Sequence, residues 1–176
     1  MDWIWWALWN VAGFCLAAAV NPFVEWLAHK HILHSNRIVS FAWKLHDQEH
    51  HPLFPLEDYT ATSDSERDRM RRGHVAFVLR DYLGFMLLTS PVWAAAEWAA
   101  GVPIALGAAL ATLAQLQAFN CLHWRFHVPR GGWLERTAFF QFLARHHQLH
   151  HQNPRCNLNV STLPIADIFL GTWRRA

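Results

Sequence analysis

The chain has 176 residues, 53% of them hydrophobic, with 11 Trp, 12 Phe, 13 His and a formal net charge of +2; that length suits one domain, and so small a charge gives no argument for a nucleic-acid partner. Mean hydropathy is only +0.03, so the apolar residues must be gathered into blocks. The three cysteines, Cys15, Cys121 and Cys156, are odd in number and irregular in spacing, which argues against a disulfide framework and for buried free thiols in a reducing compartment.

Met1 to Val20 carries a single charge, Asp2, and about 20 apolar residues suffice to cross a bilayer as a helix. It has no basic region before its apolar run, so we read it as a retained span rather than a cleaved signal. "VNP" at 20–22 interrupts this helix: Asn21 suits a cap and Pro22 a first helical position. "FVEWLAHKHILHS" then leads away from the membrane, 52–66 reads as a Pro-, Asp- and Ser-containing loop, and "ERDRMRRGH" as a solvated stretch. Tyr82 to Leu122 holds one charge, Glu97. It is too long for one span and breaks at Gly101 and Pro103, so it reads as two spans joined by a tight turn. After residue 123 the chain is polar, with a turn at "PRGG", a histidine-rich helix and an irregular end.

The 15 Lys and Arg avoid residues 1–28 and 98–104. Cytoplasmic flanks of spans concentrate these residues, so both basic segments and the C-terminus are expected in the cytosol. Trp3, Trp5, Trp6, Trp9, Trp93 and Trp98 then form an outer aromatic belt. The expected architecture is an all-α integral membrane protein: three transmembrane helices, a cytosolic helical cap, and a single domain over 1–176.

Every histidine lies at or beyond the cytosolic end of a helix in this scheme. They group as "HKHILH" (29–34), "HDQEHH" (46–51), His74 alone, "HWRFH" (123–127) and "HHQLHH" (146–151). Taking His146 as the origin of a helical wheel, His147, His150 and His151 fall at about 100°, 40° and 140°, one shared face. His123 and His127 share a face, as do His46 and His50, with His51 one step round. In the first group the wheel pairs His31 with His34 more closely than His29 with His34. His74 reads as a helix cap, and His146 as an outer or surface residue. Neutral imidazole is the commonest metal ligand. About ten nitrogens exceed the shell of one ion, so two ions are expected. There is no HExxH to supply a metalloprotease base, and cysteine does not join the clusters. Imidazole alone leaves zinc, copper, iron and nickel open. Glu25, Asp47, Asn120, Asn157 and Asp167 are candidates to orient the imidazoles.

The order HxxxxH, HxxxHH, HxxxH, HxxHH resembles the fatty acid hydroxylase/sterol desaturase superfamily of membrane di-iron oxygenases. The tail "HHQNPRCNLNVSTLPIADIFLGTWRR" is similar to that family's ending as well. The resemblance covers roughly 25–176 and implies His29, His34, His46, His50, His51, His123, His127, His147, His150 and His151 as metal ligands, favouring His29 over His31, and assigns no catalytic side chain beyond them. It implies two iron ions (with zinc possible on isolation), dioxygen, and hydroxylation of a fatty acyl or sterol-like membrane lipid. "HKHILH" also resembles the first box of bacterial carotenoid hydroxylases, so a carotenoid hydroxylase or a desaturase is the alternative on this scaffold. A histidine-rich metal transporter is the alternative of another class, disfavoured because its spans should carry polar ligands. With no fused cytochrome-like domain visible, electrons are expected from a separate reductase with a ferredoxin or cytochrome. The expected location is a bacterial inner membrane, metal site facing the cytosol.

Overall fold

In the computed structural model, residues 2–54, 60–61, 63–160 and 164–175 are described, with 72–81 as helical backbone alone. His74 falls in that backbone-only stretch, and the middle of the 52–66 loop and residues 161–163 of the tail lie outside the described residues. Among the described residues all regular structure is helical: α1 (Trp3–Ala28), α2 (Ser40–Trp43), α3 (His51–Leu53), α4 (Asp64–Ala100), α5 (Ala105–His127), α6 (Ala138–Gln152) and α7 (Ile165–Phe169). Two π-helices, His29–Leu33 and Lys44–His50, continue α1 and α2 directly. The chain forms two compact units, Met1–Asn21 with Leu79–Gln117, and Pro22–Val78 with Ala118–Ala176.

In the first unit the apolar blocks do form helices. Among the described residues, two helical runs are long and apolar enough to cross a membrane, Trp3–Leu33 and Ala105–His127. The expected break at Val20–Pro22 does not occur: α1 runs through Pro22, which costs it one N–H donor that a long helix can spare. The turn at Gly101 is as expected. Gly101 has φ +68°, the left-handed conformation that ends helices, and the Glu97 carboxylate accepts the Ala105 N–H at 2.7 Å, capping α5. Close contact between α1 and α5 depends on two glycines. A Cβ on Gly13 would strike the Ile104 carbonyl, and one on Gly107 the Asn10 carbonyl. The Asn10 Oδ1 accepts the Gly107 N–H at 2.9 Å. Ala17, Trp93, Ala108 and Ala111 pack as a core, small residues again permitting close helix approach. Trp3, Trp5, Trp6 and Trp9 are all exposed.

α4 is a 37-residue helix. It takes in the charged stretch 66–74, whose composition suggests a solvated lead-in rather than a helix. Among its described residues the second unit carries three small cores: Phe119, Phe126, Phe140, Leu143 and Val160; Trp26, Leu158 and Ala166; Phe54, Ala61 and Met70. Between them lie the histidines.

Candidate metal centre

The two π-helices set the spacing of the first two histidine pairs. A π turn bonds residue i to i+5, and here the His34 N–H donates to the His29 carbonyl at 3.0 Å, and the His51 N–H to the His46 carbonyl. With about 4.4 residues per turn, residues five apart come to one face. The His29 and His34 rings therefore stack, centroids 5.1 Å apart. His31, which the regular-helix wheel favoured, is exposed and lies edge-on to Trp26 at 6.3 Å. α5 delivers His123 and His127, and α6, N-capped by Thr137, which accepts the Phe140 N–H, delivers His147, His150 and His151.

These residues converge in two groups, each with its ligand atoms within 4.8 Å of one another: His29, His34, His46 and His150; and His50, His123, His127, His147 and His151. His51 belongs to neither set but adjoins both: its Nε2 is 3.3 Å from that of His46, and its ring stacks on His151 at 4.2 Å. His127, His147 and His150 are completely buried.

The outer ring nitrogens of four histidines are held by oxygens. His29 Nδ1 faces the Leu158 carbonyl at 2.7 Å, His34 Nδ1 the Asp47 carboxylate at 2.7 Å, His150 Nδ1 the Cys156 carbonyl at 2.9 Å, and His151 Nδ1 the Phe54 carbonyl at 3.2 Å. An oxygen acceptor fixes the proton on Nδ1 and leaves Nε2 with a lone pair. The Nε2 atoms of His34 and His150 nevertheless sit 3.0 Å apart, and those of His29 and His46 2.9 Å. Since His34 and His150 both commit their Nδ1–H outward, their inner nitrogens are acceptors only and cannot hydrogen-bond each other while neutral. Protonation is opposed: burial, reinforced by neighbouring imidazoles, pushes His46, His50, His147 and His150 far below the ordinary histidine range. Burial also lowers His34 and His51, and holds His151 at about 3. Convergent neutral lone pairs at such separations are those of a metal shell: six nitrogens at about 2.1 Å from an ion have neighbours about 3.0 Å apart. His50–His123 at 3.0 Å and His127–His147 at 3.1 Å repeat the spacing in the second group. The donor set fits a metal ion in each group.

The tail braces this arrangement. The fully buried Asp167 carboxylate accepts the N–H groups of Leu158 and Asn159, both at 2.8 Å, the Thr172 hydroxyl at 2.6 Å and His146 Nε2 at 3.2 Å. These hydrogen bonds, led by that from His146, keep its pKa below the usual carboxylate value despite burial. His146 is thus buried outside both groups. Glu25 accepts the Val160 N–H at 2.7 Å. Asn157, at φ +54°, accepts the Arg174 N–H and donates to the His146 carbonyl. Asn120 is buried, and among the described residues neither of its amide atoms has a partner, so it orients none of these imidazoles. Phe54, unmarked in the sequence reading, stacks on His127 at 4.1 Å. Nothing in a sequence distinguishes the carbonyls of Phe54, Cys156 and Leu158 from any others.

The fatty acid hydroxylase family model matches residues 14–172. No curated protein and no solved structure matches the chain. The family is of hydroxylase- and desaturase-type oxidoreductases, typically metal-dependent and membrane-associated, in keeping with the histidine groups and the two apolar helices. With nearly its whole length matched, this chain belongs to the fatty acid hydroxylase family.

Proposed function

We propose that the protein is an O₂-dependent hydroxylase of a membrane lipid, fatty acyl or sterol-like, acting through two iron ions. The observation that carries this reading is the pair of opposed inner nitrogens of His34 and His150 at 3.0 Å, acceptors only, within a shell of buried and half-buried imidazoles. His29, His34, His46 and His150 would hold one ion, and His50, His123, His127, His147 and His151 the other, with His51 serving at their junction. A redox-active metal pair supplies the dioxygen activation needed to oxidise an unactivated C–H bond. The chain's own residues fix the tautomers of His34, His29, His150 and His151 through Asp47 and the carbonyls of Leu158, Cys156 and Phe54, and burial disfavours protonation and excludes water. The balance is RH + O₂ + 2e⁻ + 2H⁺ giving ROH + H₂O, the electrons coming from a separate donor protein.

In this proposal the chain is one catalytic domain whose three spans are the first part of α1, the second part of α4, and α5. The C-terminus and the metal centre face the cytosol of a bacterial cell. The test is isotopic: purified protein in lipid, given ¹⁸O₂ and a reducing system, should yield a product heavier by one labelled oxygen and be inactive without reductant. Oxygen derived from water would refute the oxygenase reading, and a product lighter by two hydrogens would reassign the protein as a desaturase.

A further inference from the structure

α7 divides its few residues between two environments. Ala166 and Asp167 are 0% exposed, whereas Ile168, Phe169 and Leu170 are 54%, 77% and 46% exposed. The buried side is the brace of the metal centre. Asp167 binds the N–H groups of Leu158 and Asn159, and the Leu158 carbonyl in turn receives His29 Nδ1. The exposed side is three consecutive large apolar residues with no core of their own.

What covers that side is indicated by the neighbours of α7 within the second unit. Phe169 lies 6.2 Å from Phe23 of α1, Trp26 of α1 donates to the Thr172 hydroxyl at 2.8 Å, and Phe23 and Trp26 cluster with Leu158 and Ala166. Phe23 and Trp26 belong to the apolar run Trp3–Leu33, long enough to cross a membrane. α7 therefore packs on the part of α1 that ends this apolar run, with Ile168, Phe169 and Leu170 exposed beside it. The next residues are Trp173, Arg174 and Arg175, with the Arg175 guanidinium 5.6 Å from the Trp173 ring and both arginines exposed. Apolar side chains, then tryptophan, then cations is the order in which acyl chains, the interfacial layer and lipid phosphates are met on leaving a bilayer.

We propose that α7 and Trp173–Arg175 form a membrane-immersed element that binds a bilayer containing anionic lipid, and that its immersion holds the brace of the metal-binding histidines in place. This rests on the reading of the chain as a membrane protein, and goes beyond the proposed chemistry: lipid contact at Ile168–Leu170 is transmitted through Asp167 and Leu158 to His29.

The test uses the full chain in vesicles of phosphatidylcholine with or without phosphatidylglycerol. In a background with the exposed Cys15 and Cys121 changed to serine, an environment-sensitive fluorophore is placed on Phe169→Cys, on Leu16→Cys as the span reference, and on Asn153→Cys as the water reference. The label at 169 should be quenched by brominated acyl chains, as at 16, and protected from iodide, unlike 153. Reversing charge with Arg174→Glu and Arg175→Glu should weaken its lipid quenching in the anionic vesicles alone. Zinc-loaded Phe169→Asp should surrender metal to a chelator about tenfold faster than wild type, with helix content unchanged, and Phe169→Leu should behave as wild type. A label at 169 as open to iodide as that at 153, while 16 stays in lipid, overturns the proposal alone. Protection at 169 from both quenchers means a protein partner such as a second copy covers it, and also overturns it. Iodide access at 16 removes the membrane reading and the proposal with it. Unchanged metal loss in Phe169→Asp overturns the coupling to the metal centre.

Discussion

Replacing Asp167 by asparagine removes the charge from a completely buried carboxylate and turns one of its two oxygens into a donor. Oδ1 takes the Leu158 N–H and the Thr172 hydroxyl, and Oδ2 takes the Asn159 N–H and His146. The hydroxyl can rotate and the imidazole can change tautomer, but a backbone N–H cannot. In either orientation the new NH₂ therefore meets one backbone N–H head-on. An orphaned buried donor costs about 1–3 kcal/mol, and each surviving hydrogen bond that loses its charge about 1 kcal/mol, so the substitution should destabilise the fold by about 3–6 kcal/mol. The damage falls on the segment whose Leu158 carbonyl holds His29, so metal affinity should drop 10- to 100-fold, by the usual order for a lost outer partner. Thermal unfolding of the metal-free protein and competition with a graded series of chelators measure the two effects separately. Asp167→Asn protein with a wild-type unfolding midpoint and wild-type metal retention would falsify the view that the tail braces the centre.

Other expectations can be checked with single variants. His29→Ala should lose metal, counted by elemental analysis, whereas His31→Ala should keep it, since His31 points to Trp26; equal loss in both would undo the π-helical assignment. The centre's imidazoles outside the candidate spans have folded pKa values below their unfolded value of 6.5. Above pH 6.5 they are neutral folded or unfolded and make no difference; below it only the unfolded chain takes up protons. Metal-free protein should therefore lose stability from pH 6.5 down towards the folded values, by about 1.4 kcal/mol per pH unit for each such histidine; an unfolding midpoint flat between pH 7 and pH 5 would contradict this. Gly107→Ala, whose methyl would meet the Asn10 carbonyl, should cost about 1–3 kcal/mol and lower the unfolding midpoint in detergent, whereas alanine at Gly84, where a Cβ meets nothing, should be tolerated. A reporter fused after Ala176 should be active only in a form that works in the cytosol, and activity in a periplasm-dependent form would invert the orientation proposed here.

Much of this architecture is legible in the sequence because its causes are local. Blocks with one charge become long helices, Gly101 and Pro103 mark the turn, and histidines three and four apart on α5 and α6 share faces by simple periodicity. Where reading failed, the cause was a rule applied past its range. The helical wheel assumes a fixed turn, so it paired His31 with His34 where a wider turn pairs His29. Pro22 marks a boundary in short helices, but α1 is long enough to pass through it. The charged residues after Asp64 looked like a lead-in because charge says nothing about helicity, and α4 includes them. The carbonyls that fix His29, His150 and His151 carry no signal because every residue has one. Asp47 and Asp167 could be nominated as partners, but only the fold shows that one grips an imidazole and the other a whole tail.

The π-helices have a consequence for how such centres tolerate change in length. His29 and His34 are five residues apart on a wide turn, and His123 and His127 four apart on an α-helix, yet both pairs hold their rings 5.1 Å apart. His46 and His51, again five apart, come to 4.9 Å. The wider turn thus behaves as an insertion that the helix has swallowed: one added residue would swing a partner round by about 100° on an unchanged helix, and the π turn takes up that rotation and returns the ring to its place. A histidine box on such a helix can gain or lose one residue and still present the same pair, with the surplus side chain, here His31, turned outward and free to vary.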